Sequence, residues 1–373
     1  MGMKAIEVRE DLQQLDRALD AVPNAPAVFI LWPNEGGPYL SRTALLRRRL
    51  TRLLKERERP SRLLNLRHTV ARIEYQLTAS ALESSVVQYE SARRLFPENY
   101  LEVIRLPMPP YVKLVLNNEF PRSYITTHLA RTSGLFFGPF RARAAAERFE
   151  SQFLDLFQMR RCQEDLTPSR DHPGCIYGEM SMCLRPCQQA VGPAEYAREV
   201  ERVAEFLRTD GRSLLDAIGQ SRDRMSEEMN FEEAARLHKR FEKVEEVLKL
   251  RDDLARDVDR LQGVAITRSL APGAVDLWFV RDGYWQTPRQ FSYEAPLAKP
   301  APLDQRLREI FAGVSGPKLT LRERQEYLAM LARWYYSSWR DGEWLSFETY
   351  DEIPYRKLVH AVSRLARRDP PSS

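Results

Sequence analysis

The chain has 373 residues, 43% of them hydrophobic, with 57 lysines and arginines against 52 aspartates and glutamates. That is apolar content enough for folded cores and length enough for two to three domains at roughly 100–200 residues each, while a formal charge of only +5 leans mildly toward polyanions. No run reaches the ~18 apolar residues that cross a bilayer, residues 3–20 are charged rather than signal-like, and Ile6 stands where myristoylation wants a serine or threonine. The expectation is a cytoplasmic, reduced protein with no membrane association, in which disulfides are disfavoured.

In chain order, residues 3–20 read as a helix, with Ile6, Val8, Leu12, Leu15 and Leu19 at roughly helical spacing. Ala27 to Trp32 reads as a strand, Asn34-Glu35-Gly36-Gly37 as a turn and Tyr39-Leu40 as the start of a second strand, together a hairpin. Thr43 is the expected N-cap of a helix running to about Glu56. Its inner stripe is Leu46, Leu50, Leu53 and Leu54, and it carries Arg47, Arg48, Arg49 and Arg52. Val70 to Leu77 alternates like a strand and Thr78 to Arg94 returns to a helical period. Tyr111 to Leu116 and Tyr124 to Leu129 form a second expected hairpin about Asn117-Asn118, and Phe137-Gly138-Pro139-Phe140 is expected to break the chain.

Ala144 to Phe157, Tyr196 to Leu207 and Ser213 to Met229 read as helices, and Asn230 as the cap of a long one from Phe231 to about Leu261. Val264–Thr267, Val275–Val280 and Gln290–Tyr293 then alternate like strands, before a helical, aromatic-rich tail whose last residues, 369–373, read as disordered. The expected fold class is α+β, in four parts: a small α/β unit over 1–105, a cysteine-bearing region over 106–192, a helical region over 193–262 and a C-terminal α/β domain over 263–373.

All four cysteines fall in one stretch, Cys162, Cys175, Cys183 and Cys187, with spacing C-x12-C-x7-C-x3-C. Four clustered thiolates close a metal or iron–sulfur shell, which scattered core cysteines do not; two disulfides or four free thiols are the alternatives. Prolines and glycines between them predict a loop. The five histidines are scattered and suggest no metal site of their own. Trp334, Tyr335, Tyr336, Trp339 and Trp344 are candidates to stack on unpaired bases or to form a helical core.

Residues 25–100 resemble the GIY-YIG nuclease domain, on Ala27-Val28-Phe29, Tyr39-Leu40-Ser41, Leu46-Arg47-Arg48-Arg49 and Ala81-Leu82-Glu83-Ser84. The resemblance implies a divalent Mg or Mn ion on Glu83, water activation helped by Tyr39, and charge stabilisation on the cleaved phosphate by Arg49, with Arg42 in place of the family lysine. One hard cation, one carboxylate and one guanidinium suit that chemistry. Phe29 replaces the first tyrosine, so a group typically contributing ~10²–10⁴-fold to proton transfer is lost; Tyr75 is a candidate to fill the vacancy. Weak or lost cleavage is the expectation, with Arg47, Arg48 and Arg52 as DNA-binding residues.

Further on, Pro110-Tyr111-Val112-Lys113-Leu114, Phe120-Pro121-Arg122, Phe137-Gly138-Pro139-Phe140 and the run Cys183-Leu184-Arg185-Pro186-Cys187 stand in the order seen in the UvrC family of bacterial nucleotide excision repair. That resemblance implies a 4Fe-4S cluster on the four cysteines, with zinc as the alternative. The run Asn230-Phe231-Glu232-Glu233-Ala234-Ala235 resembles the UVR motif, and implies docking to a UvrB-like helicase through Phe231, Ala234, Ala235 and Phe241. The resemblance covers about 25–262, and the C-terminal domain over 263–373 is expected to lack the family's RNase H-like nuclease. Three readings compete: a repair nuclease with residual one-metal cleavage, a non-catalytic adaptor binding DNA and a UvrB-like partner, and an iron–sulfur DNA-binding sensor.

Overall fold

The computed structural model describes residues 3–8, 12–55, 66–130, 134–294 and 301–367. The N-terminal part contains β1 (Lys4–Glu7), α1 (Leu12–Ala21), β2 (Ala27–Pro33), β3 (Tyr39–Thr43), α2 (Leu46–Leu54), β4 (Val70–Leu77), α3 (Ala81–Leu95) and α4 (Tyr100–Ile104). Its sheet runs β1-β4-β2-β3 with antiparallel neighbours. Central β2 is apolar on both faces because both are covered. Ala27, Phe29 and Leu31 pack with Leu15, Leu19, Leu46 and Leu50 of α1 and α2, while Val28 and Ile30 pack with Leu82, Val86 and Tyr89 of α3.

Three sequence expectations change here. Residues 4–7 are a strand and not the start of a helix: Ile6 pairs with Ile73 at the β4 edge, and Ile6 and Val8, two residues apart, both reach the same core, which is the strand period. Thr43 ends β3 and does not cap α2; Leu45 holds the N-cap position, and its N–H donates to Thr43 Oγ1 at 3.2 Å. The helix ends at Leu54, and Glu56 lies outside the described residues.

A second sheet, order β6-β5-β7-β8, is built from β5 (Tyr111–Val115), β6 (Ser123–Thr126), β7 (Gly134–Gly138) and, far along the chain, β8 (Arg256–Asp257). Between β7 and β8 come α5 (Arg143–Leu154), the cysteine loop with its single turn α6 (Ile176–Glu179), α7 (Pro193–Arg208), α8 (Arg212–Glu227) and α9 (Phe231–Leu248). Phe137 and Gly138 therefore complete a strand instead of interrupting the fold, because Asp257 and Arg256 pair with them. The same pairing stops α9 at Leu248, short of the expected Leu261: the chain must turn back to reach β7. Asn230 caps α9 as expected, its Oδ1 accepting from Glu233 N–H at 3.3 Å.

The C-terminal part holds β9 (Gln262–Arg268), β10 (Ala274–Arg281), β11 (Tyr284–Trp285), β12 (Arg289–Ser292), α10 (Leu303–Ala312), α11 (Leu321–Tyr335), β13 (Gly342–Phe347) and α12 (Tyr355–Arg367). Its sheet runs β11-β10-β9-β13, with β12 on β10. The tail expected to be helical thus contributes an edge strand. Gly263 makes room for it, since a side chain there would run into the Trp344 ring. Residues 369–373 lie outside the described residues.

Helix α11 joins the parts. One hydrophobic cluster contains Val28, Ile30 and Tyr89, Tyr111 and Phe136 of the second sheet, and Leu328, Leu331 and Trp334 of α11. Beside it, Glu326, 1% exposed, accepts hydrogen bonds from the hydroxyls of Tyr89 and Tyr100 and from Arg322. A carboxylate that deep is tolerable because its oxygens are occupied.

Candidate functional site

The hairpin and helix of the N-terminal part bring Tyr39 and Arg49 together: Arg49 Nη2 donates to the Tyr39 hydroxyl at 3.3 Å, on the surface. Phe29 lies beneath, fully buried, its ring centroid 6.2 Å from that of Tyr39. Directly across from Phe29 on β4 stands Tyr75, 7% exposed, in the same core. A phenol therefore adjoins the position where one is missing.

Glu83 stands in the first turn of α3. Its Oε2 accepts from Ala79 N–H at 2.6 Å, and its own N–H donates to Ser80 Oγ at 3.1 Å, so it helps start the helix. Burial raises its pKa, and the backbone N–H groups pull the other way. Arg42 ties β3 to α3 by donating to Ser85 Oγ at 2.8 Å; burial, then the nearby Arg333, lowers its pKa. Arg47, Arg48 and Arg52 are exposed on α2, where Arg47 donates to Asp20 O at 3.2 Å.

The four cysteines all lie in the segment between α5 and α7. Cys183 and Cys187 are buried, Cys162 is intermediate and Cys175 exposed, and none forms a disulfide. Burial, then the three other thiols, push Cys183 up to about 11; burial, then Cys162 and Cys175, raise Cys187. Among the described residues, no group of three or more His, Cys, Asp or Glu is drawn to metal-binding distance.

The donor set nonetheless suits a soft cation or an iron–sulfur cluster. Arg160, 1% exposed, supplies the second observation: its Nη1 lies 3.4 Å from Cys162 Sγ, and its Nη2 is buried with no partner. A buried guanidinium with an unspent donor fits beside anionic sulfur. Arg185 N–H also donates to Cys183 Sγ at 3.4 Å. Arg160 stands two residues before the first cysteine, in flanking text whose role the sequence alone does not assign.

The apolar stripe of α9 divides in two. Val244 and Val247 are buried in the chain's own core with Leu248 against it, and Phe241 is half-buried under the Arg222 guanidinium. Ala234 is half-buried and Ala235 exposed, while Phe231 is 67% and Met229 78% exposed at the tip of the α8–α9 hairpin. No helix among the described residues is long and apolar enough to cross a membrane.

A mixed α+β protein with a four-thiol loop beside a helical hairpin is the class these features define. Residues 110–206, spanning β5 to most of α7, match the family model of the UvrC/Cho excinuclease middle domain. The chain is 26% identical to the UvrABC system protein C of Lachnospira eligens over 275 residues, covering 72% of this chain and 44% of that protein. For the same protein of Methanothermobacter thermautotrophicus the values are 25%, 71% and 44%, and for that of Rickettsia bellii 26%, 70% and 41%. The chain is thus similar to UvrC proteins over about seven-tenths of its length, and it spans less than half the length of these curated relatives. No solved structure matches it.

Proposed function

We propose that the chain acts in nucleotide excision repair as a DNA-binding protein that docks on a UvrB-like helicase, with phosphodiester cleavage weak or lost. The observation that carries this is the family match through the middle domain combined with an exposed Met229–Phe231 tip on the adjoining hairpin. An apolar pair left in water at a helix turn is costly unless a partner covers it. Phe231, Ala234, Ala235 and Phe241 are the contact residues of this reading, and Arg47, Arg48 and Arg52 supply phosphate contacts.

In the N-terminal part, Glu83 would hold a Mg or Mn ion, which would polarise the phosphate. Arg49 would face the developing charge, and Tyr39 would orient the attacking water, its hydroxyl held by Arg49. The absence of a hydroxyl at Phe29 supports a rate ~10²–10⁴-fold below that of an intact site. In the middle domain, the four cysteines would hold a 4Fe-4S cluster, or zinc, with Arg160 balancing its charge.

Nicking of a site-specifically damaged duplex with Mg²⁺ or Mn²⁺, with and without UvrB, tests the catalytic part. Slow nicking abolished by Glu83→Gln supports the assigned site. Nicking unchanged in Glu83→Gln removes Glu83 from the chemistry, and no cleavage by either protein alongside intact DNA binding assigns the fold to docking alone.

A further inference from the structure

Of the aromatic residues in the C-terminal tail, Trp334 is 2% and Trp344 7% exposed, and both serve the core. Trp339 differs: it is 56% exposed and lies on the turn between α11 and β13. That turn leans on the N-terminal part. Asp341 Oδ2 accepts from Ala81 N–H at 2.6 Å, and its Oδ1 accepts from Trp334 Nε1 at 2.8 Å. Between the two parts lies a cavity of about 380 Å³ lined by Arg42, Thr43, Ser80, Ser84, Trp339 and Asp341, among others. Of the nuclease-like residues Arg42 lines it, whereas Tyr39, Arg49 and Glu83 do not.

We propose that this cavity receives one unpaired base of single-stranded DNA, stacked on the Trp339 indole, with a flanking phosphate drawn to Arg42. The volume suits a single base with its sugar, at the low end of ligand cavities. An indole face accepts any base, which makes the site sequence-tolerant. Asp341 has both oxygens engaged, which leaves the cation at the rim to Arg42.

Charge continues beyond the cavity. Arg333 acts electrostatically on Arg42, and it also lines a second cavity of about 340 Å³ with Arg141 and Arg143. This inference rests on the DNA-binding reading and deepens it.

The test compares wild type, Trp339→Ala and Trp339→Phe for binding to a short single strand, to a duplex and to a gapped duplex, by fluorescence anisotropy at fixed salt. A stacked base is worth about 5- to 100-fold in affinity. The expected result is a loss of that size for single-stranded and gapped DNA in Trp339→Ala, recovery in Trp339→Phe, and unchanged binding to intact duplex. A 5-iodouracil strand is expected to photocrosslink to Trp339. Wild-type affinity for single strands in Trp339→Ala overturns the pocket while leaving the DNA-binding reading in place. Failure of the wild type to bind any DNA overturns both.

Discussion

The Arg49 guanidinium and the Tyr39 hydroxyl meet at 3.3 Å across the turn from β3 into α2. The pair holds an arginine at the rim of the N-terminal part, on the same helix as the exposed Arg47 and Arg48. If this helix contacts phosphates, each arginine replaced by alanine reduces the steepness of the salt dependence by about one counterion. Arg47→Ala with Arg48→Ala is expected to weaken binding to all duplex sequences alike, whereas Tyr39→Phe leaves binding unchanged. Titrations at several salt concentrations check this, and an unchanged slope would remove α2 from the DNA interface.

Glu326 bolts α11 to α3 and α4. Glu326→Ala would strand the Tyr89 and Tyr100 hydroxyls in a closed core and remove the anion facing Arg322. The expected cost is about 2–5 kcal/mol, and Tyr89→Phe added to it is expected to cost less than it does alone, because both act on one network. Urea unfolding reads both, and a change below about 0.5 kcal/mol for Glu326→Ala would mean this network contributes little to joining the parts.

How far the sequence disclosed this arrangement depends on the distance over which each signal acts. The apolar run Ala27–Trp32 marked a strand, and the prolines and glycines between the cysteines marked a loop, because both are local patterns. β1 escaped notice because four residues at a sheet edge carry little periodicity and their ladder partner, Ile73, is remote. β13 was hidden in a run whose Trp344 and Phe347 suit helix and strand alike. The contact of Asp341 with Ala81 bridges 260 residues, and no local pattern announces it. The burial of Arg160 was not legible for a different reason: arginine is ordinarily a surface residue.

Asp257, at the β8 end of the second sheet, has its pKa pushed up to about 6 by burial, more than Arg260 and Arg208 can offset. Its folded pKa lies above its unfolded one, so the folded state binds the proton more tightly. The stability this adds is fully present below about pH 4 and is lost as pH rises through about 6. Asp257→Asn keeps the oxygen that accepts from Asp259 N–H and removes the titration. It is expected to raise stability at pH 7 by on the order of 2–3 kcal/mol and to flatten the profile between about pH 4 and 6. Thermal melts across that range check it, and an unchanged profile would place the titration elsewhere.

For the cysteine loop, protein purified without oxygen is expected to contain about four irons and matching sulfide per chain, and Cys183→Ser is expected to lose them together with part of the fold. Arg160→Met is expected to retain the metal but shift the cluster's reduction potential, since its cation lies against Cys162. Iron and sulfide analysis with protein-film voltammetry reads both. Zinc alone would assign a structural metal and end the iron–sulfur reading.

Docking on a UvrB-like partner stands most directly on the exposed tip of the α8–α9 hairpin. The decisive measurement is recruitment of the full chain to a preformed UvrB complex on a site-specifically damaged duplex, read by native gel shift. Wild type is expected to join the complex. Phe231→Glu is expected to lose recruitment while keeping wild-type circular dichroism, because a side chain 67% exposed contributes little to the fold. Recruitment of Phe231→Glu at wild-type affinity would contradict docking through this hairpin, and absence of wild-type recruitment would contradict the proposed partner.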